Sequence, residues 1–256
     1  MEIFISITLF IIGTVLASFL NATAYRIEKG YKYKDMILFP SSCEKCNKEL
    51  SWIELIPILG YIIKKGRCSK CDTKINIIYP ISELFLGITF LAFYTFNIPI
   101  HFYAIVCSLL FLSYFDIESM SIPKRITDVI SILFIFISLF IVPFDIKVYG
   151  LLLIIFLVFL VINMIKKSFG LGDLIVFIYS SVYFSIEYIV HYVFLVMILG
   201  GLFSILLIVM KKLTMKDYIP LLPFITLAFV LTSILYKLDF EIIKYTVNWI
   251  ADLVVL

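Results

Sequence analysis

Apolar residues in this chain come in long runs with short polar interruptions, a pattern that predicts membrane spans. The first run, Ile3 to Leu20, extends to Ala24 and predicts a span at 3–24. Further spans are expected at 81–97, 100–115, 126–143, 147–165, 174–186, 188–210 and 218–236, about eight in all. Several fall short of the ~20 residues that cross a bilayer comfortably, so they must tilt, thin the lipid or shield one another. After Asp239 the chain alternates Ile, Tyr, Val and Trp with charges, as an interfacial amphipathic helix does. Only Tyr25 to Pro80 is polar enough to sit in water as a small unit. The expected organisation is a first span at 1–24, a loop domain at 25–80, a helical bundle at 81–238 and an interfacial segment at 239–256. The fold class expected is an all-α polytopic membrane protein with a small cytoplasmic loop domain.

Composition supports that class: 63% of residues are hydrophobic and 15% charged, with a mean hydropathy of +1.12. The placement of charge adds an orientation, because short loops rich in Lys and Arg stay in the cytoplasm. Of 21 basic residues, all but Lys147, Lys237 and Lys244 fall in 25–80 or at Lys124, Arg125, Lys166, Lys167, Lys211, Lys212 and Lys216. Alternating spans put these four stretches on one side. The N-terminus is therefore expected outside a bacterial cytoplasmic membrane and the 25–80 loop inside. A cleavable export signal does not fit, since Glu2 precedes the first run and Arg26, Lys29, Lys32 and Lys34 follow it. The net charge of +3 is explained by topology, and nothing in the loop predicts nucleic-acid binding. The lipid bilayer is the partner that composition implies.

Within the loop, Cys43-Glu44-Lys45-Cys46 and Cys68-Ser69-Lys70-Cys71 form two CxxC knuckles. Each knuckle turns tightly enough to aim two thiolates at one tetrahedral metal, and four sulfurs at ~2.3 Å close the shell of a structural Zn²⁺. A metal also supplies the staple that so small a unit needs. Two disulfides or redox-active pairs are the competing readings; the cytoplasmic placement argues against the first, and the lack of a thioredoxin-like pattern argues against the second. Cys107, inside an apolar run, fits ordinary packing.

Two acids stand at span borders. Asp116 ends the run from Cys107 to Phe115, and Asp173 follows Gly170-Leu171-Gly172 and opens the next run. At equal depth on different spans, two carboxyls can share one proton. One then acts as base on a water while the other polarises a carbonyl, which is peptide hydrolysis without a nucleophilic side chain. Taken singly, Asp173 also suits a helix N-cap, and Asp116 suits a span end facing headgroups. Glu83, Glu118, Asp128 and Glu187 compete by residue type alone.

The order of these motifs resembles the prepilin peptidase family of membrane aspartic proteases. Ala17-Ser18-Phe19-Leu20-Asn21 with Tyr25-Arg26 is similar to its first-span signature. Pro40-Ser41-Ser42-Cys43, Gly66-Arg67-Cys68 and Tyr79-Pro80-Ile81-Ser82-Glu83-Leu84 resemble its cytoplasmic loop, and Gly170-Leu171-Gly172-Asp173 is its GxGD motif. Ile122-Pro123 and Pro220 to Phe224 add to the resemblance. Ala17 replaces a usual glycine, Glu44 a usual proline, and Ile175 a frequent lysine. The resemblance implies a catalytic pair, Asp116 and Asp173, that cuts a basic leader from type IV prepilin or pseudopilin precursors. It also implies N-methylation of the new terminus with S-adenosylmethionine, at a site the sequence does not locate. Two rivals remain open at this point: a non-enzymatic, zinc-stabilised membrane assembly factor, and a transporter that relays protons through paired acids.

Overall fold

A computed structural model describes residues 1–31, 40–166, 170–211 and 218–254, with backbone alone for 165–166 and 240–254. Lys32, Lys34, Lys167, Lys212 and Lys216, on which part of the expected orientation rests, lie outside the described residues. The described residues form nine helices: α1 Glu2–Glu28, α2 Leu59–Ile63, α3 Ile78–Thr95, α4 Ile100–Ser119, α5 Lys124–Ile141, α6 Ile146–Lys166, α7 Leu171–Ser181, α8 Ile186–Val209 and α9 Leu222–Val254. Each of the eight expected apolar segments forms a helix. Six of them, α1, α3, α4, α6, α8 and α9, are long and apolar enough to cross a membrane, and the chain is a multi-pass membrane protein. The other two differ for physical reasons: α5 carries Lys124, Arg125 and Asp128 in its first turns, and α7 has only 11 residues. At the far end, α9 continues past Asp239 to Val254 without a break.

The chain divides into two compact units, Met1–Pro99 and Ile100–Leu256. In the first, α1 packs along α3 through a stripe of small side chains, Gly13, Thr14, Ala17, Asn21 and Ala24, all buried. Close approach is the reason for the stripe: a Cβ on Gly13 would lie 2.7 Å from the Leu86 carbonyl oxygen, and one on Gly87 would lie 2.7 Å from Thr14 Cγ2. Lipid-embedded helices associate through such small residues because apolar burial alone gives them no preference for one another. Asn21 Nδ2 donates to Ser82 Oγ at 2.7 Å within the same seam. Ala17, at 0% exposure, keeps the seam tight where a glycine is usual. The opposite face of α1 presents Ile3, Phe4, Ile7, Ile11 and Phe19, as a lipid-facing surface requires.

The second unit is built around α4, whose residues from Phe102 to Asp116 are buried on nearly every side. Its neighbours are joined by polar pairs as well as by packing. Ser108 Oγ meets the Tyr179 hydroxyl of α7 at 3.0 Å, and Ser113 Oγ meets Thr226 Oγ1 of α9 at 2.9 Å. Ser180 of α7 pairs with Tyr192 of α8 at 3.0 Å, and the Tyr192 hydroxyl also reaches the Ile225 carbonyl at 3.2 Å. Hydrogen bonds between membrane helices average about 0.6 kcal/mol, so their value here lies in fixing rotation and register.

Candidate functional site

Asp116 occupies the last turn of α4 and is 6% exposed. Its Oδ2 accepts the Leu222 backbone N–H at 2.8 Å, and the Leu221 N–H also reaches the carboxyl group. These donors are free because the first N–H groups of a helix have no partner within it, and α9 begins here. The Pro220-Leu221-Leu222-Pro223 run explains the arrangement: Pro223 lacks an N–H, so the two leucines supply the donors. Sequence reasoning missed both leucines. One turn from Asp116, the Ser113–Thr226 contact locks the same seam.

Asp173 is the third residue of α7, not its N-cap; Gly170 holds that place. The carboxylate reaches back to the Gly170 backbone N–H, one half of a capping box. The two glycines of the motif have separate reasons. A Cβ on Gly170 would stand 3.1 Å from Asp173 Oδ2, and one on Gly172 would stand 3.2 Å from Ile122 Cδ1. The structure brings Asp116 and Asp173 close enough for their charges to interact. Both carboxyls lie at helix N-termini, where backbone dipoles favour negative charge. Glu118 and Glu187 are exposed. Ile175 is half-buried on α7, and nothing in the structure explains the absence of a cation there.

In the first unit, the Sγ atoms of Cys43, Cys46, Cys68 and Cys71 lie within 4.8 Å of one another. Cys43 to Cys71 and Cys46 to Cys68 are each 3.8 Å. A tetrahedral metal with sulfur at ~2.3 Å sets edges of about 3.8 Å, whereas a disulfide needs ~2.05 Å. The cluster fits a metal ion and is not a pair of disulfides. The two knuckles are near copies. Cys43 N–H donates to the Lys48 carbonyl as Cys68 N–H does to Thr73, both at 2.9 Å, and each CxxC is followed by a left-handed residue, Asn47 (φ 53°) or Asp72 (φ 55°). Asn and Asp tolerate that conformation better than other L-residues. The Thr73 hydroxyl and backbone hold the Cys71 thiol down to about 6, and the N–H groups of Lys70 and Cys71 lower Cys68. At Cys46 the Lys48 N–H lowers the thiol, but burial and the three neighbouring sulfurs push it up to about 11.

Glu54 braces the knuckles. Its carboxylate accepts bonds from Ser69 Oγ (2.6 Å), the Ser51 N–H (2.9 Å) and Lys48 Nζ (2.9 Å), which hold it at about 2, with Ser69 the largest cause. Glu44, where a proline is usual, accepts the Tyr79 hydroxyl. Below the knuckles lies a cavity of about 510 Å³ lined by residues between Ser18 and Glu83. Glu83 Oε2 accepts the Ile58 N–H there at 2.7 Å.

A family model described as the bacterial peptidase A24 N-terminal domain matches residues 11–96, and one described as the type IV leader peptidase family matches residues 103–205. The cysteines fall in the first match and both aspartates in the second. Among curated relatives, a prepilin leader peptidase/N-methyltransferase of Bacillus subtilis (strain 168) is 34% identical over 122 residues, covering 46% of this chain and 48% of that protein. The protein of the same name from Vibrio cholerae is 28% identical over 133 residues, covering 46% and 50%, and that from Klebsiella pneumoniae 32% over 126 residues, covering 46% and 55%. The chain spans about half the length of the curated relatives it matches. No solved structure matches it.

Proposed function

The chain belongs to the type IV leader peptidase family, and from that premise we propose that it is a membrane aspartic endopeptidase. Its substrates are type IV prepilin-like or pseudopilin precursors, from which it cuts the basic leader at the cytoplasmic face of a bacterial cell membrane. The observation that supports this reading is that Asp116 and Asp173, on separate helices, each sit at a helix N-terminus and lie within range of each other's charge. Two close carboxyls share a proton more readily than they both ionise. The ionised one takes a proton from water as the water oxygen attacks the scissile carbonyl carbon, while the protonated one donates to the carbonyl oxygen. The first carboxyl then gives its proton to the leaving amine as the C–N bond breaks, the second carboxylate takes a proton from a hydroxyl of the tetrahedral intermediate as the product carboxyl forms, and the pair again holds one proton.

In this reading the metal held by Cys43, Cys46, Cys68 and Cys71 is a structural Zn²⁺, since four thiolates leave no open position for chemistry. The basic residues of the 25–80 loop support an inside loop and an outside N-terminus. The reading keeps 25–80 as the loop domain, 81–238 as the peptidase bundle and 239–256 as an interfacial segment. It also includes methylation of the new amino terminus by S-adenosylmethionine, the second activity in the relatives' names. The test is to incubate the purified chain with a synthetic precursor carrying a Lys-rich leader before an apolar helix, and to weigh the products. A single cut after the glycine that ends the leader is expected; a folded chain that cuts no such precursor would favour the assembly-factor reading.

A further inference from the structure

We propose that Thr226, paired with Ser113 across the α4–α9 seam, is a positioning residue that holds the first turn of α9 against Asp116 and so makes Asp116 the carboxylate that activates water; this rests on the peptidase reading above. Two ties, one helical turn apart, join the antiparallel helices. Leu222 N–H donates to Asp116 Oδ2 at 2.8 Å, and Ser113 Oγ meets Thr226 Oγ1 at 2.9 Å. Both hydroxyls are buried, at 3% and 2% exposure. Neither needs the other for satisfaction, since Ser113 reaches the Leu109 carbonyl and Thr226 the Leu222 carbonyl, each at 2.8 Å. What the facing pair adds is register. Each hydroxyl has one proton, so when Thr226 donates to Leu222, Ser113 donates to Thr226. Leu222 is then gripped through its carbonyl while its N–H points at Asp116. From another side the Tyr192 hydroxyl reaches the Ile225 carbonyl at 3.2 Å and Ser180 of α7 at 3.0 Å, which ties the same turn of α9 to the helix that carries Asp173.

The two aspartates receive unequal support. Asp116 faces the Leu221 and Leu222 N–H groups of another helix, whereas Asp173 meets the Gly170 N–H at the start of its own. Donors to a carboxylate favour its charged form, and two favour it more than one. Among the described residues, the charged group that Asp116 meets is Asp173 of α7. From Leu222 to Leu235 α9 carries no charged side chain. Glu118 of α4 is exposed, and Lys124, Arg125 and Asp128 of α5 make no ion pair with Asp116. On α8, Glu187 and His191 flank Tyr188, whose ring meets Tyr236 about four turns along α9. Asp116 therefore takes the proton from water and later gives it to the leaving amine. Asp173 donates to the carbonyl oxygen and recovers its proton from a hydroxyl of the tetrahedral intermediate.

The experiment follows leader cleavage of the synthetic precursor against pH by the full chain in detergent, for wild type, Thr226→Val, Thr226→Ser and Ser113→Ala. Valine keeps the shape of threonine without its hydroxyl, and serine keeps the hydroxyl. Weaker N–H support makes the Asp116 carboxylate easier to protonate, so the acid limb of kcat/KM moves to higher pH. A shift of about one pH unit, or about a tenfold loss on that limb, is expected for Thr226→Val and for Ser113→Ala. Thr226→Ser is expected to restore the wild-type limb. A hydroxyl that only packs the seam would lower the unfolding temperature or the rate at every pH and leave the limb in place, and that result would overturn the proposal. So would a shift that serine does not reverse. The unmodified chain gives a measurement that depends on no variant: a hydrophobic carbodiimide attacks protonated carboxyls, and its labelling, followed by peptide mass against pH, is expected to reach its midpoint at lower pH for Asp116 than for Asp173. The reverse order would overturn the assignment. Wild type that cleaves while the folded valine variant shares its limb removes this inference and leaves the peptidase reading standing; wild type that cuts no precursor at any pH removes the peptidase reading and this one with it.

Discussion

Cys43, Cys46, Cys68 and Cys71 come from one loop and are gathered by two short turns of the same design, whereas Asp116 and Asp173 come from different helices and are held by the backbone of α9 and α7. The first constellation is local, and its donors are side chains with a recognisable spacing. The second is non-local, and half of its parts are main-chain N–H groups with no side-chain signature. The difference teaches that the two sites fail separately: the cluster needs its turns and a metal, and the pair needs helix packing.

The largest effect should come from removing a metal ligand. Structural zinc contributes about 10–16 kcal/mol to the folding of small zinc peptides. Cys68→Ser or strong chelation is therefore expected to abolish stoichiometric metal by elemental analysis and to open residues 40–76 to limited proteolysis. Neither Asp116→Asn nor Asp173→Asn should change metal content; if either does, the two sites are coupled and the comparison breaks.

A smaller effect is expected at the other site from Gly170→Ala. Its backbone (φ −70°) accepts alanine, but the new Cβ would press on Asp173 Oδ2 from 3.1 Å. Displacement of a catalytic group by up to ~1 Å costs as much as ~10²-fold in rate. The expected result is leader cleavage slowed by about ten- to a hundredfold, with unfolding temperature and metal content unchanged.

The smallest effect concerns Glu54. Its folded-state value of about 2 lies below the ordinary 4.5, because the Ser69 hydroxyl, the Ser51 N–H and Lys48 favour the carboxylate. A lowered carboxylate stabilises the fold above its unfolded value and loses that contribution as pH falls through the folded one. The stability difference between wild type and Glu54→Gln should be full at pH 6 and shrink between pH 4.5 and 2. A difference that does not vary with pH would show that Glu54 acts by shape alone.

These contrasts also explain what could be read from the sequence. The four cysteines were legible because CxxC spacing carries its own geometry, and the eight apolar segments because unbroken hydrophobic runs have one stable solution in lipid. Asp116 and Asp173 were legible as border acids and, by resemblance, as a pair. Their supports were not. Leu221 and Leu222 act through backbone N–H groups, and the signal that could have found them is the pair of prolines around them. The placement of Asp173 at the third position of α7 depends on where the helix starts, which the sequence leaves uncertain by a residue or more. The left-handed Asn47 and Asp72 could have been found by comparing the residue that follows each CxxC. Glu83 read as one acid among several because its burial comes from the packing of α3 on α1 and on the turn at Ile58.

The pairing of the two aspartates is tested most directly by timing leader cleavage of a synthetic precursor by wild type, Asp116→Asn and Asp173→Asn in the same detergent. General acid–base groups contribute about 10²–10⁴-fold, so each variant should lose at least about a hundredfold while keeping its metal and its unfolding temperature near wild type. Cleavage at wild-type rate by either folded variant would contradict the account.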